Sequence, residues 1–327
     1  MKAEHGGDLH RAINSFGGHR SQWIDMSTGI NPHSYPLPRM DTGLWTALPD
    51  LHLRQAADAA AAVAYQTTQA ILSVAGAQQA IQHYPALFAK QTAGRQARLI
   101  HPSYNEHENQ LIQQSWQVQR VREIKQLAGA DIAVVVNPNN PNGQYTQPEK
   151  LLSLSNKVGF LVIDESFCDS LPHLSVCPHL SSQHDNVLVL RSFGKFYGLA
   201  GMRLGFVIGA KDHLDNLDKM IGSWAVSGPA LAVGQAALLD HSWAKKTTSR
   251  LTTEAKQLDN LVLQAGWKIV GGTSLFRLYQ MPNAVDWQDQ LARHRIWTRT
   301  FSYNDTWLRI GLPPKCGWSR LKKALDL

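Results

Sequence analysis

The chain has 327 residues, and a hydrophobic content of 43% with ten tryptophans allows a substantial core. Its net charge is +7, but the Lys and Arg residues are scattered without a run of five, which suits an enzyme of anionic ligands rather than a nucleic-acid binder. There is no apolar run of about 18 residues, and residues 1–8 lack the apolar centre of a secretory signal, so no membrane span and no export are expected. Cys168, Cys177 and Cys316 form no CxxC and leave an odd thiol, which points to a reducing cytoplasm without a disulfide framework.

Residues 56–64 are an alanine-rich, helix-favouring run. From about residue 70, short apolar runs at 98–100, 132–136, 160–163, 187–190 and 204–208 alternate with helical patterns. Such β-branched runs predict an α/β fold with a mostly parallel sheet between helices. Ligands bind where the C-terminal ends of such strands emerge, and four of these runs end in polar, loop-like sequence. Beyond Gly228-Pro229 the pattern changes to a long helical stretch over 230–264, strand-like pieces at 268–270, 275–279 and 307–310, and an amphipathic helix over 318–325. That pattern predicts a smaller α+β C-terminal domain. The expected division is an N-terminal arm over 1–34, a large domain over 35–228 and a small domain over 229–327.

The most informative segment follows the 187–190 run: Ser192-Phe193-Gly194-Lys195-Phe196-Tyr197-Gly198-Leu199-Ala200-Gly201-Met202-Arg203. A lysine can become a neutral nucleophile, and an arginine fork grips phosphate. Upstream, Asn137-Pro138-Asn139-Asn140-Pro141-Asn142-Gly143 follows the 132–136 run, and Asp164 ends the 160–163 run. Together these motifs resemble the fold-type I, pyridoxal-phosphate-dependent aminotransferase superfamily. The resemblance implies that Lys195 binds the aldehyde of pyridoxal 5'-phosphate, that Ser192 and Arg203 hold its phosphate, that Asn140 bonds its phenolic oxygen and that Asp164 pairs with its ring nitrogen. It also implies that Gly76, Ala77 and Gln78 cradle the phosphate at a helix N-terminus and that Tyr104 stacks on the ring. Many aminotransferases carry a tyrosine three residues after that aspartate; Phe167 stands there and cannot donate a hydrogen bond, a departure that weighs against ordinary transamination.

His5-Gly6-Gly7-Asp8 and Asp25-Met26-Ser27-Thr28-Gly29-Ile30-Asn31-Pro32 resemble the start of cobalamin-pathway L-threonine-O-3-phosphate decarboxylases, close cousins of histidinol-phosphate aminotransferase. This likeness spans essentially the whole chain. It implies a small anionic phospho-amino-acid substrate, contacted by His5, Ser27, Gly29, Asn31, His107, Arg299 and Arg309, and a cytoplasmic homodimer. Histidinol-phosphate-type or other phospho-amino-acid transamination remains the alternative, because the orientation of the bond to be broken leaves no mark in sequence. No zinc spacing, GxSxG or phosphate-binding P-loop occurs.

Overall fold

The computed structural model describes residues 6–327. The chain forms two compact units. The larger spans Tyr35–Asn140 and Tyr145–Lys245; the smaller gathers the N-terminal residues up to Ser34, Pro141–Gln144 and Lys246–Leu327.

The larger unit is built on a seven-stranded sheet. Its strands are β1 (Ala70–Val74), β2 (Gln96–Ile100), β3 (Gln117–Val121), β4 (Ile132–Val136), β5 (Phe160–Asp164), β6 (Val187–Ser192) and β7 (Gly205–Gly209), in the spatial order β1-β7-β6-β5-β4-β2-β3. The β6–β5, β5–β4, β4–β2 and β2–β3 pairs are parallel, while β7 runs antiparallel to both neighbours. Every residue of β4 and β7 is buried, as expected of strands covered on both faces. The edge strand β3 (QVQRV) is polar and largely exposed, which discourages pairing with another chain. Neither β1 nor β3 is among the runs expected from sequence.

Helix Ala77–Ala89 lays Ile81, Tyr84, Leu87 and Phe88 into a core with Val134, Val162, Leu188 and Val207. Phe88 stacks on Phe160 with ring centroids 4.0 Å apart. The expected alanine-rich helix is Leu51–Tyr65, started by Asp50, whose side chain accepts from the Leu53 N–H at 2.8 Å. The single helix expected over 230–264 is two, Gly228–Leu239 and His241–Gln264. The break falls at Asp240, whose carboxylate caps the second helix through the Trp243 N–H at 2.9 Å. Helix Gly228–Leu239 belongs to the larger unit, so the expected boundary at 228 lies at the start of one of that unit's helices.

The smaller unit carries a four-stranded antiparallel sheet of β8 (Lys268–Gly272), β9 (Phe276–Gln280), β10 (Arg299–Phe301) and β11 (Asn304–Gly311), in the order β10-β11-β9-β8. The N-terminal segment joins it: Ile24–Asp25 pairs in parallel with Ile296–Trp297, and Leu9, Ala12 and Trp23 form a small core with Ala292 and Trp297. Among the described residues no helix is long and apolar enough to cross a membrane.

Candidate active site

In the larger unit three strand ends bring the sequence-derived residues together. β5 delivers Asp164, β6 delivers Ser192 and, one turn of helix later, Lys195, and the loop after β4 carries half-buried Asn140. Lys195 Nζ donates to Ser192 Oγ at 3.1 Å and lies 4.9 Å from the centroid of the Phe167 ring.

Asp164 is buried, and its Oδ2 lies 3.0 Å from His107 Nε2 while Oδ1 accepts from the Ser166 N–H at 2.9 Å. His107 Nδ1 in turn lies 3.2 Å from the Tyr84 hydroxyl. Both ring nitrogens are thereby engaged, one by the carboxylate and one by the phenol. Burial alone would raise the Asp164 carboxyl, but the His107 hydrogen bond and charge, with Lys195 and Ser166, outweigh it and hold the group below its ordinary value. The unit thus keeps an ionised carboxylate in its interior.

A tight cradle forms where β1 meets helix Ala77–Ala89. Gly76 has φ +79°, a conformation glycine adopts without cost, and a Cβ there would come within 2.7 Å of Arg203 Nη2. A Cβ on Gly205 would come within 2.6 Å of the Ala77 nitrogen. Both glycines therefore admit a close approach of backbone and guanidinium at a helix N-terminus, an arrangement suited to an anion. Gln78 accepts from the Tyr104 hydroxyl at 3.2 Å and donates to Glu106 at 3.1 Å, which anchors the half-buried Tyr104 ring at the start of helix Asn105–Gln113. The donor set fits pyridoxal phosphate. Lys195 offers an amine for its aldehyde, Asp164 a carboxylate for its ring nitrogen, and the Gly76–Gln78 turn with Ser192 and Arg203 offers donors for its phosphate.

The structure corrects the expectation of a substrate-facing His107. That side chain is 1% exposed, with both ring nitrogens engaged by Asp164 and Tyr84, so its partner is the buried carboxylate. Sequence reasoning also missed Arg191 and Glu165, a buried ion pair at 2.6 Å beside Ser192 and Asp164. The available signal was a charged residue inside an apolar strand.

In the smaller unit Arg309 on β11 stands directly opposite Arg299 on β10. Arg309 is buried and donates through Nη2 to the Ser27 carbonyl at 2.7 Å. Ser27 is itself fixed: its Oγ donates to Asp25 at 2.6 Å and accepts from the Gly7 N–H at 2.7 Å. Asn31 accepts from Arg250 at 2.7 Å and from the His33 N–H at 3.0 Å; Gly29 is buried. Burial pushes the Tyr303 phenol up to about 12 against the lowering pull of both Arg309 and Arg299. The N-terminal segment is thus tied to Arg309, with Arg299 across the strand pair. His5 lies outside the described residues.

Residues 31–326 match the model of the family described as aminotransferase class I and II. The chain is 39% identical to a threonine-phosphate decarboxylase from Sinorhizobium sp over 98% of its length and 97% of that protein. It is 36% identical to a threonine-phosphate decarboxylase from Pseudomonas aeruginosa, again over 98% and 97% of the two chains. The solved structure of histidinol-phosphate aminotransferase from Sinorhizobium meliloti in complex with pyridoxal-5'-phosphate shares the fold, with a TM-score of 0.80 at 18% identity over 97% of this chain and 93% of that one.

Proposed function

The chain belongs to the aminotransferase class I and II family, and we propose that within it the protein is a pyridoxal-phosphate-dependent decarboxylase of L-threonine O-3-phosphate. The near full-length likeness to two threonine-phosphate decarboxylases carries the reading. The product is (R)-1-amino-2-propanol O-2-phosphate, released with CO2 in cobalamin biosynthesis. The protein works as a cytoplasmic homodimer; the exposed apolar side chains of Trp45, Leu48, Leu51 and Trp224 on the larger unit support a covered surface.

Gly76, Ala77, Gln78, Ser192 and Arg203 would hold the cofactor phosphate, Asn140 its phenolic oxygen, Tyr104 its ring face, Asp164 its ring nitrogen and Lys195 its aldehyde. When bound, the cofactor supplies an aldehyde that joins the substrate amine and a protonated ring that accepts the electron pair released at Cα. Asp164, held below its ordinary value by His107 with Lys195 and Ser166, would keep the proton on that ring nitrogen. Arg309 and Arg299 would take the anionic ends of the substrate, helped by Ser27, Gly29 and Asn31. In decarboxylation the Cα–carboxylate bond would break with loss of CO2, its electron pair going to the ring that the cofactor would supply. Lys195, displaced from the aldehyde by the substrate amine, would return a proton to Cα. Phe167 cannot donate to the phenolic oxygen as a tyrosine would, which supports decarboxylation over amino transfer.

The test is to incubate purified protein and pyridoxal phosphate with L-threonine O-3-phosphate and 2-oxoglutarate, following CO2 and keto-acid together. CO2 without amino transfer is the expected result. Amino transfer without CO2 would move the chain to the aminotransferases.

A further inference from the structure

A buried ion cluster flanks the cofactor residues on the other face of the central sheet. Asp164 and Glu165 are consecutive at the end of β5, and Arg191 and Ser192 are consecutive at the end of β6. Consecutive residues of an extended strand point to opposite faces. Asp164 and Ser192 accordingly meet His107 and Lys195 on one face, while Glu165 and Arg191 meet each other on the other.

Arg191 is 3% exposed and Glu165 fully buried. The guanidinium reaches Glu165 Oε2 at 2.6 Å, Asp169 Oδ1 at 2.8 Å and Ser175 Oγ at 3.4 Å, and it lies 4.2 Å from the Tyr65 ring centroid. Glu165 is held further by Ser175 Oγ at 2.6 Å and the Val176 N–H at 2.7 Å. One side chain therefore ties β6 to β5, to the Ser166–Ser170 loop, to the Ser175 turn and to helix Leu51–Tyr65. That loop carries Phe167, whose ring lies against Lys195. Two carboxylates share the one guanidinium, and Arg191 Nε and Asp169 Oδ2 find no hydrogen-bond partner among the described residues. Apolar side chains would fill such a space without the desolvation cost of three buried charges. What the charges add is direction: a planar fork fixes its partners in angle as well as distance.

We propose that Arg191 is a positioning residue, whose fork to Glu165 and Asp169 sets the spacing of Asp164, Phe167 and Lys195 on the opposite face. The role rests on the reading of Lys195 and Asp164 as cofactor residues but not on the identity of the substrate.

Arg191→Lys and Asp169→Glu each conserve charge and change geometry. Two readouts are compared with wild type: the pH midpoint of Lys195 acetylation by acetic anhydride in cofactor-free protein, followed by peptide mass spectrometry, and kcat and KM of the holoenzyme on L-threonine O-3-phosphate. Because charge is conserved, a shifted midpoint reports displaced groups rather than an altered field. The expected shift is at least about half a pH unit, with kcat lower by about tenfold and KM within about twofold. A shifted midpoint in a protein that turns over no threonine phosphate keeps the positioning role and removes the substrate reading. If either variant fails to fold, the other decides. An unchanged Lys195 midpoint with unchanged kcat in a folded variant, even one of lowered thermal stability, makes the cluster merely structural and overturns the proposal.

Discussion

Replacing Asp58 by Asn should stabilise the protein at neutral pH and leave it unchanged in acid. Asp58 lies on helix Leu51–Tyr65 near Ser73 of β1, and its Oδ1 has no hydrogen-bond partner among the described residues. Burial raises its carboxyl to about 6, against the lowering influence of Arg54 and Ser73. Arg54 is already committed to Asp218 at 2.7 Å, which leaves it a weak counter-charge. A carboxyl raised in the folded state binds its proton more tightly there than in the unfolded chain. Its contribution to stability is therefore complete below pH about 4, declines as pH rises towards about 6, and is constant above that. A rise of about two pH units corresponds to about 3 kcal/mol. Asn is nearly isosteric and carries no charge to desolvate, so Asp58→Asn should be more stable than wild type by about 3 kcal/mol at pH 8 and by close to zero at pH 4. Urea unfolding of cofactor-free wild type and variant across that range measures the difference, with an unchanged m-value as the check on two-state behaviour. The other carboxylates titrate alike in both proteins and cancel. A difference that does not vary with pH, or a variant less stable at pH 8, would refute the reasoning.

Two further substitutions probe the site. His107→Leu removes the hydrogen bond that holds the Asp164 carboxyl down, so burial should push that group up; the acid limb of the kcat–pH profile should move to higher pH by about one to two units, the worth of a hydrogen bond to a charged group. An acid limb that stays in place would separate Asp164 from the ring nitrogen. Arg309→Lys keeps the charge but loses the fork that reaches the Ser27 carbonyl; KM for threonine phosphate should rise by about tenfold or more, with the thermal midpoint little altered. An unchanged KM would remove Arg309 from the substrate site.

What the sequence reveals of this fold depends on how each element is covered. β4 to β7 are legible because strands buried on both faces need continuous apolar side chains, as in IAVVV and GFVIG. β3 is an exposed edge, so its residues QVQRV carry no such run. β7's antiparallel direction is invisible, because pairing direction leaves no imprint on composition. The cofactor residues are legible for a similar local reason: Ser192, Lys195 and Arg203 lie within one short segment. His107 and Asp164 are 57 positions apart, and their hydrogen bond arises only when helix Asn105–Gln113 packs beside the end of β5. The Arg191–Glu165 pair is intermediate: each residue adjoins one named for the site, yet only the alternation of strand faces shows that they meet each other.

The arginines of the smaller unit can be weighed by the same physics. Arg299 and Arg309 are cross-strand partners on adjacent antiparallel strands, and like charges placed so are destabilising. Arg309 is buried as well, which removes much of the water that would screen the repulsion. Tyr303 adds no counter-charge, because burial pushes its phenol up to about 12 and leaves it neutral in the physiological range. An anion of two or more charges complements two such guanidinium groups, and L-threonine O-3-phosphate carries both a carboxylate and a phosphate. Under the proposed function, two guanidinium groups brought together by strand register favour a doubly anionic ligand over a plain amino acid.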